Sequence, residues 1–349
     1  MPKQKSINKI QEISQNPPLH ADVPGGKSKI LITGGAGFIG SNLCEYFLYK
    51  GHSVTCLDDF STGFRHNIEP FLKNSNFELV QGDIRNLETC HYVSKEKDYI
   101  LHHAALGSVP RSINDPVATN EVNIGGFLNI LVAARDAGVK RLVFAASSST
   151  YGDSNTVPKV EEVIGKPLSP YAVTKLVNEL YADIFSKTYG LDYIGLRYFN
   201  VFGRRQDPAG AYAAVIPNFI LKLINHQSPI INGTGDYSRD FTYIDNVIQM
   251  NERAMLCSNA DALNTIYNTA VGESTSLNKL ADYLKYYLAE YDSEISAIKF
   301  NYGKARSGDI PHSLACIEKA KKRLGYSPSH TVQQGLKESV HWYWEHLRP

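Results

Sequence analysis

From Lys29 onward, short apolar runs alternate with longer amphipathic ones, and this alternation limits the possible folds more than any other feature. KILIT (29–33) is typical of a buried parallel strand, and GFIGSNLCEYFLYKG after it predicts a helix that ends at Gly51. SVTCLDD, FELVQGD, YILHHAA and RLVFAAS repeat the strand pattern, with helical segments between most of them. Because strands that alternate with helices form βαβ units, we predict an α/β fold built on a doubly wound parallel sheet.

The pattern changes after about Phe202, where loops rich in Gly, Pro and Asp separate shorter helices. Two amphipathic helices, roughly 276–291 and 330–346, flank the loop YGKARSGDIPHS and indicate a second, smaller α/β domain. The predicted units are a polar, partly helical N-terminal extension (1–28), a nucleotide-binding domain (29–202, to which about 243–271 returns) and a C-terminal substrate domain (203–349).

Composition excludes several classes of protein. The 349 residues are 43% hydrophobic and 20% charged, with a formal net charge of +1, so no overall field attracts nucleic acid or an anionic membrane. The five cysteines are scattered without a CxxC pair or zinc-ligand spacing, which is typical of reduced thiols. No apolar run approaches the ~20 residues that span a bilayer, and the start has no secretory pattern. We predict a soluble, cytoplasmic protein without a metal.

The first strand-to-helix turn, TGGAGFIG, contains Gly34, Gly37 and Gly40. Phe38 and Ile39 lie between the last two of these glycines, at the helix start. Glycines permit a tight turn and a close backbone approach, and the helix N-terminus offers N–H groups to a pyrophosphate. This is the context of a dinucleotide fingerprint, and it predicts a Rossmann-type domain. The alternative is a plain tight turn.

Acidic residues end the next two strands. Asp58, eighteen residues after Gly40, is followed by Asp59. A carboxylate here accepts hydrogen bonds from the adenosine ribose and repels a 2′-phosphate, which favours NAD over NADP; a strand-end turn residue is the alternative. Asp83 in QGDI is placed to meet the adenine amino group, although a simple turn aspartate fits nearly as well. The same nucleotide pocket is predicted to include Ser61, Thr62, Gly63 and Ile84.

A serine run and a tyrosine–lysine pair supply candidate catalytic groups. Ser147 opens the run in ASSSTYG, after the fifth strand, where ligands bind at the carboxyl edge of a parallel sheet. In LSPYAVTK, Ser169 is a helix cap, and Tyr171 and Lys175 share one helix face at i and i+4. A serine-rich loop and a lysine lying along a tyrosine ring are the structural alternatives.

Beside NAD, these side chains suit proton transfer. Nearby positive charges favour the phenolate of Tyr171, which then takes a proton from a sugar hydroxyl while hydride passes from the same carbon to NAD. Ser147 hydrogen-bonds the developing oxyanion or relays the proton, and Lys175 supplies charge and a possible ribose anchor.

TGGAGFIG, LDD, SSSTYG and YAVTK together resemble the extended short-chain dehydrogenase/reductase family, and the chain from residue 29 onward resembles its UDP-sugar 4-epimerases. LHHAALGSVPRS, GLRYFNVFGRRQDP, GAYAAVIP, SRDFTYID and RSGDIPHS resemble the bacterial branch that acts on UDP-N-acetylglucosamine and UDP-N-acetylgalactosamine, or on their uronic acids. The resemblance implies Ser147, Tyr171 and Lys175 as catalytic residues.

The resemblance also implies residues around both ligands. Ala104, Ala105, Asn120 and Tyr198 match cofactor positions, together with Tyr171 and Lys175. Arg239 and Arg306 match a diphosphate clamp, and arginine forks suit diphosphate, although surface arginines are the usual case. The remaining implied substrate positions are Ser108, Ser147, Ser148, Ser149, Asn200, Ala214, Val215, Ile231, Asn232, Asp309 and Ser313.

Small residues at the sugar pocket point to an acetamido group. Ser313, four after Asp309, matches the position that sets pocket size, and Ala214 is also small. Ser148 and Ser149 are expected to hydrogen-bond the acetamido group or a hydroxyl of the sugar. They also stand where related 4,6-dehydratases carry an Asp-Glu pair, so the groups for elimination are missing. His102 and His103 at the end of the fourth strand are interpreted as buried structural histidines.

The resemblance therefore implies reversible epimerisation of UDP-GlcNAc and UDP-GalNAc at carbon 4 through a transient 4-keto sugar, with NAD tightly bound and regenerated in each turnover. The alternatives are a 4-epimerase of the UDP-N-acetylhexosaminuronic acids, an NAD-dependent UDP-sugar oxidoreductase or decarboxylase, and a non-catalytic sensor. A homodimer is implied through a four-helix bundle of the Tyr171 helix and the helix at about 115–137.

Overall fold

The computed structural model describes residues 26–210, 213–304 and 311–347. The predicted N-terminal extension lies almost wholly outside the described residues. The described strands are β1 (Lys29–Thr33), β2 (Ser53–Asp58), β3 (Phe77–Gln81), β4 (Tyr99–His102), β5 (Arg141–Ser147), β6 (Tyr193–Tyr198), β7 (Val201–Phe202), β8 (Ile230–Asn232), β9 (Ser238–Arg239), β10 (Thr242–Tyr243), β11 (Thr265–Thr269), β12 (Thr275–Ser276), β13 (Asn301–Gly303) and β14 (His312–Ser313).

Helices cover the sheet and build most of the C-terminal part. They are α1 (Phe38–Tyr49), α2 (Leu87–Ser94), α3 (Val109–Asn114), α4 (Pro116–Asp136), α5 (Pro170–Tyr189), α6 (Val215–Ile224), α7 (Ile244–Leu256), α8 (Leu277–Ala289), α9 (Glu318–Leu324) and α10 (Val332–Leu347).

Seven parallel strands form the main sheet in the order β11-β6-β5-β4-β1-β2-β3. Two hydrophobic cores include residues from opposite faces of its strands: Ile30 and Ile32 belong to one core, and Leu31 belongs to the other. This is the predicted Rossmann-type, doubly wound α/β fold. Strand order reverses between β1 and β4, which creates a crevice at their carboxyl ends.

The last strand of the sheet comes from far along the chain. α7 packs against β5 and β6, and β11 pairs with β6, so residues beyond Phe202 contribute to the main sheet. Smaller sheets, β10-β7, β12-β9-β14 and β13-β8, carry the C-terminal segments. The boundary between the two predicted domains stays a prediction.

Local signals set the ends of several helices. Ser169 caps α5 by accepting a hydrogen bond from the Ala172 N–H, and Pro170 occupies the first turn, as predicted. Gly51 follows α1 with a positive φ of 81°, a conformation that glycine adopts without steric cost. The two C-terminal amphipathic helices predicted from periodicity correspond to α8 and α10.

The segment YIGLRYFNVFG, which follows the Tyr171 helix, forms two strands. β6 ends at Tyr198, and β7 begins at Val201 after Asn200 adopts a positive φ of 34°. Asparagine tolerates this left-handed region better than most residues, so the chain turns there and pairs with β10. Apolar periodicity alone does not reveal such a turn.

One described helix, α4, is long and apolar enough to cross a membrane by length and composition. It contains a π-helical turn at Glu121–Gly126, and it packs against α2 and α5. A core helix of a soluble protein passes the same test, and 44% of its most apolar window is buried in the protein.

Gly40 allows β1 and α1 to approach closely. A Cβ at Gly40 would lie 2.0 Å from the Gly34 carbonyl oxygen and 2.8 Å from the Gly35 Cα. Both neighbours are backbone atoms that no side-chain rotation can move. We expect Gly40→Ala to lower the free energy of unfolding by about 3 kcal/mol, measured by urea denaturation.

Gly125→Ala is the matched control. Gly125 lies inside α4, and an added Cβ would have no heavy atom within 4 Å. Alanine favours helix over glycine, so this variant should be as stable as the wild type or up to ~1 kcal/mol more stable. Equal urea midpoints for Gly40→Ala and the wild type would show that the close approach is not required.

Candidate active site

A cleft lies at the carboxyl ends of β1, β2 and β4, where the strand order reverses. Its lining also includes Leu57, Gly82, Leu106 and Val122, which the sequence did not single out, and His103, which is interpreted from the sequence as a buried structural histidine but lines the cleft. The predicted cofactor residues that line this cleft are Gly34, Gly37, Asp58, Asp59, Ser61, Thr62, Asp83, Ile84, Ala104 and Ala105.

The glycine turn forms one wall of the cleft. Gly34 has a φ of 69°, and a Cβ there would lie 2.7 Å from the Ala104 N, so the turn packs directly on the end of β4. Gly37 is the N-cap residue of α1 and has no side chain that could cap the helix. The N–H groups of Phe38, Ile39 and Gly40 lie in the first turn, where no intrahelical acceptor exists.

Asp58 holds the turn in place. Its Oδ2 accepts from the Ala36 N–H at 2.8 Å, and its Oδ1 accepts from the Phe60 N–H at 2.8 Å. Burial raises the pKa of Asp58, and these backbone N–H groups oppose the rise. A Cβ at Gly63 would lie 2.8 Å from Asp58 Oδ1, so this glycine packs behind the carboxylate. Asp58 is therefore structural as well as a ribose candidate.

Two further acidic side chains are already bonded locally. Asp59 Oδ1 accepts from the N–H of Ser61 at 2.9 Å and from its hydroxyl at 2.7 Å. Asp83 Oδ2 accepts from the Arg85 Nε at 2.8 Å and Nη2 at 2.6 Å, and hydrogen bonding to Arg85 lowers the pKa of Asp83. Asp83 therefore has the local bonding of a turn aspartate while it lines the cleft.

Tyr171, Lys175 and Ser147 come together where α5 packs on β5. The Lys175 ammonium lies 5.9 Å from the centre of the Tyr171 ring and donates to the Ala145 carbonyl oxygen at 2.7 Å. Ser147 interacts with Tyr171, since hydrogen bonding with its side chain opposes the rise in the pKa of Tyr171. Ser149 donates to Ser147 Oγ from its N–H at 3.1 Å and from its hydroxyl at 2.9 Å.

Burial dominates the ionisation of this trio. It raises the pKa of Tyr171, and the Ser147 hydrogen bond opposes that rise. Burial also lowers the pKa of Lys175 to about 8, against a raising effect of Glu179. The sequence predicts a phenolate that Lys175 and a cationic nicotinamide favour. Among the protein's own groups, Ser147 lowers the pKa of Tyr171, and the effect of Lys175 beside bound NAD stays a prediction.

The predicted diphosphate and sugar residues meet in a small sheet. Arg239 of β9 is the register partner of Ser313 of β14, and both side chains are half-buried. The Arg239 Nη1 donates to the Ser238 carbonyl oxygen at 2.9 Å and to that of Pro311 at 3.2 Å. Arg306 and Asp309 lie outside the described residues.

Asp240 organises this region, although the sequence did not single it out. Its buried carboxylate accepts from the N–H groups of Val271 and Gly272 at 3.0 Å and of Ala315 at 3.3 Å. Burial raises the pKa of Asp240 to about 7, against the effect of these N–H groups. The Asp240 carboxylate thus connects the segment that follows β11 with the segment that follows Ser313.

Other predicted substrate residues lie on several elements. Asn200 donates to the Asp240 carbonyl oxygen at 3.1 Å, Ser108 caps α3, and Ser148 begins the turn after β5. Ala214 and Val215 start α6, and Ile231 and Asn232 belong to β8.

Eight predicted cofactor residues are not in the cleft lining: Phe38, Ile39, Gly40, Gly63, Asn120, Tyr171, Lys175 and Tyr198. Asn120 is exposed on α4, whereas Asn123 is buried and bonds the Leu106 N–H at 2.8 Å and the Thr174 hydroxyl at 3.1 Å. The Tyr198 hydroxyl bonds His103 Nε2 at 2.8 Å, so Tyr198 reaches the cleft through His103. The spacing of the two asparagines along the helix does not predict which of them is buried.

The two histidines at the end of β4, His102 and His103, differ in burial. His102 is buried, as predicted, and its Nδ1 lies 2.8 Å from the Thr33 hydroxyl. His103 is half-buried, lines the cleft and stacks on Tyr198 with ring centres 5.9 Å apart. Burial lowers the pKa of His103 to about 3, so it is neutral at physiological pH.

One group of possible metal ligands occurs among the described residues, formed by Asp245, His330 and Glu338. The Arg204 Nη1 lies 2.7 Å from Asp245 Oδ1, and the His330 Nε2 lies 3.0 Å from Glu338 Oε1. Protein side chains thus satisfy these carboxylates, and a metal-free enzyme stays a prediction.

The cleft suits NAD. The glycines leave the turn open to close approach, the first-turn N–H groups suit a pyrophosphate, and two carboxylates stand at the end of β2. Gly34, Gly37, Asp58 and Asp59 would hold the nucleotide, and Ala104 and Ala105 also line the cleft.

Comparison with known proteins agrees with this arrangement. Residues 30–270 match the family described as NAD dependent epimerase/dehydratase. A putative UDP-glucose 4-epimerase of Methanocaldococcus jannaschii is 36% identical over 90% of this chain and 97% of its own. The solved structure of a UDP-N-acetylglucosamine 4-epimerase from Methanobrevibacter ruminantium, in complex with UDP-N-acetylmuramic acid, has a TM-score of 0.84 and 36% identity, covering 92% of this chain and 99% of its own.

A UDP-glucuronic acid 4-epimerase from Bacillus cereus, solved with UDP-glucuronic acid and NAD, has a TM-score of 0.81 and 28% identity, covering 91% of this chain and 99% of its own. The chain belongs to the NAD-dependent epimerase/dehydratase family. The resemblance to UDP-sugar 4-epimerases is confirmed by relatives that cover nearly all of it.

The buried charge of Lys175 predicts a pH-dependent stability. The pKa of Lys175 is about 8 in the folded protein against an ordinary lysine value of 10.5, so the unfolded chain binds more protons between these pH values. The penalty is present below about pH 8 and is lost as pH rises toward 10.5. Lys175→Met should gain stability over the wild type near neutral pH, and this gain should shrink by about 3 kcal/mol at high pH.

Urea unfolding of both proteins at the two ends of this range measures the change. Lys187→Met is the control, because Lys187 lies on the same helix with its side chain 69% exposed. Water solvates an exposed charge in both states, so its substitution should show little change with pH. A constant difference between Lys175→Met and the wild type would contradict a buried ammonium penalty.

Proposed function

We propose that this protein catalyses the reversible, NAD-dependent epimerisation of UDP-N-acetylglucosamine to UDP-N-acetylgalactosamine at carbon 4. The observation that carries the proposal is the convergence of Ser147, Tyr171 and Lys175 at the carboxyl edge of β5. Family membership and the similarity to UDP-sugar 4-epimerases support this type of activity.

NAD, when bound, would supply the hydride acceptor and donor that epimerisation at carbon 4 through a 4-keto sugar needs. Tyr171 accepts the proton of the carbon-4 hydroxyl and later returns it, which requires the phenolate to form. Ser147 stabilises that phenolate by hydrogen bonding, and Lys175 supplies a positive charge 5.9 Å from the ring. The nucleotide is regenerated within each turnover, so we propose that it stays tightly bound.

Residue size supports an N-acetylated substrate. Ser313 lies beside Arg239 in the sheet, so a small side chain stands next to the proposed diphosphate clamp. Ala214, also small, immediately precedes α6. Similarity to the Methanobrevibacter ruminantium UDP-N-acetylglucosamine 4-epimerase agrees with this choice.

A 4-epimerase of the UDP-N-acetylhexosaminuronic acids is the second candidate, favoured by similarity to the Bacillus cereus UDP-glucuronic acid 4-epimerase. Such an enzyme needs only one suitably placed donor for a 6-carboxylate. An oxidoreductase or decarboxylase would instead release its product with net NADH. A cytoplasmic location stays a prediction.

We further propose a homodimer through α4 and α5. The α5 residues Val173, Leu180 and Ile184 are 46%, 58% and 53% exposed and share one helix face. Val117 at the start of α4 is 67% exposed, and α4 packs beside α5. Two such helices from each subunit would bury these side chains in a four-helix bundle.

Anomeric proton NMR of the purified protein without added cofactor tests the reaction. UDP-GlcNAc should convert to UDP-GalNAc faster than UDP-glucose or the uronic acids convert to their epimers. Conversion without added NAD would agree with a retained nucleotide. NADH accumulation without an epimer would contradict the proposed reaction, and faster conversion of the uronic acids would select the second candidate.

Two variants separate chemistry from substrate choice. Tyr171→Phe should lower kcat by about 100-fold or more, because it removes the proton acceptor and keeps the ring. Ser313→Tyr should lose activity on UDP-GlcNAc and retain it on UDP-glucose, because a large side chain fills the space for the acetamido group. Full activity of Tyr171→Phe would contradict the mechanism.

Leu180→Glu tests the dimer. A charge at the centre of the apolar face should shift the protein from dimer to monomer in sedimentation velocity at micromolar concentration. Tyr286→Glu is the control, because Tyr286 is 66% exposed on α8, away from this face. A monomeric wild type would contradict the proposal.

A further inference from the structure

Ser149 is bonded to the candidate catalytic serine twice. Ser147 Oγ receives the Ser149 N–H at 3.1 Å and the Ser149 hydroxyl at 2.9 Å. The sequence suggested a different role for Ser149, a contact with the acetamido group or a hydroxyl of the sugar. In the folded protein its hydroxyl instead faces Ser147.

These two contacts limit what Ser147 can do. A serine hydroxyl has one hydrogen to donate and two lone pairs that accept. A backbone N–H can only donate, so one lone pair accepts from the Ser149 N–H, and the Ser149 hydroxyl takes the other. The hydrogen of Ser147 is then left for Tyr171, and hydrogen bonding with the Ser147 side chain lowers the pKa of Tyr171, as a donor to the phenolate would.

The turn that carries Ser149 is held from several sides. The Thr150 hydroxyl donates to the Ser147 carbonyl oxygen at 2.8 Å, and the Gly152 N–H donates to that of Ser149 at 3.1 Å. Gly152 has a φ of 51° and packs against the backbone of Lys166. Ser149 is therefore fixed in place relative to Ser147.

We propose that Ser149 is a positioning residue that occupies both lone pairs of Ser147 and directs its hydroxyl hydrogen at Tyr171. Ser147 then acts as a hydrogen-bond donor to the phenolate and does not relay the sugar's proton, which Tyr171 takes directly. A donor stabilises the charged form of its acceptor, so this orientation favours the reactive state of Tyr171. The inference rests on the proposed roles of Tyr171 and Ser147.

The two roles of Ser149 predict different kinetics. A residue that orients Ser147 affects the chemical step with every substrate, whereas a residue that binds the acetamido group affects only N-acetylated sugars. Loss of the orientation also moves the apparent pKa of Tyr171 upward, so activity should recover as pH rises. A contact with the acetamido group has no such pH dependence.

The experiment measures kcat and KM of the holoenzyme as purified, with UDP-GlcNAc and UDP-glucose, from about pH 6 to pH 10. Ser149→Ala should lower kcat by roughly 3- to 10-fold at neutral pH with both substrates, with little change in KM. The loss should diminish at high pH. Ser149→Thr keeps the hydroxyl and should restore the wild-type kcat and pH profile.

Three outcomes would overturn the inference. These are a KM increase confined to UDP-GlcNAc, a kcat loss that is the same at every pH, or Ser149→Thr as slow as Ser149→Ala. Ser147→Ala separates this inference from the proposed function. If Ser147→Ala is slow and Ser149→Ala is not, the inference alone fails; if both keep full activity, the proposed role of Ser147 fails as well.

Discussion

The backbone contact between Gly34 and Gly40 is the constraint on which the rest of the site depends. Because no Cβ intervenes, α1 begins directly above the end of β1, and its first turn faces the crevice where the strand order reverses. Asp58 reinforces the same turn through the Ala36 N–H. The nucleotide cleft is thus a product of close backbone packing, with few side chains in between.

Burial and charge oppose each other at the candidate catalytic residues. The sheet excludes water from Tyr171 and Lys175, and this raises the pKa of the phenol and lowers that of the ammonium. Both shifts disfavour the ion pair that proton transfer requires. Hydrogen bonding with Ser147 opposes the shift of Tyr171, and the charge of Glu179 opposes the shift of Lys175.

Features that depend on local order along the chain were predictable from the sequence. The parallel sheet, the glycine turn, the Ser169 cap and most of the cleft lining follow from periodicity and strand ends. Contacts between distant segments were not, because spacing carries no information about them. Asp240 and Asn123 reach partners 17 or more residues away, and the position of Asn200 at a turn appears only in the backbone. Nor did spacing indicate that Ser149 faces Ser147.

The pairing of β9 with β14 makes Arg239 and Ser313 neighbours in one small sheet. A hydrogen bond from the Ala315 N–H to Asp240 holds the chain just beyond Ser313 against the same sheet. Under the proposed roles, a sugar that displaces Ser313 also displaces the arginine that holds the diphosphate. Selection among sugars would then be expressed as affinity for the entire UDP-sugar. During evolution, a substitution in this small sheet that changes the preferred sugar would tend to change the affinity for the nucleotide as well.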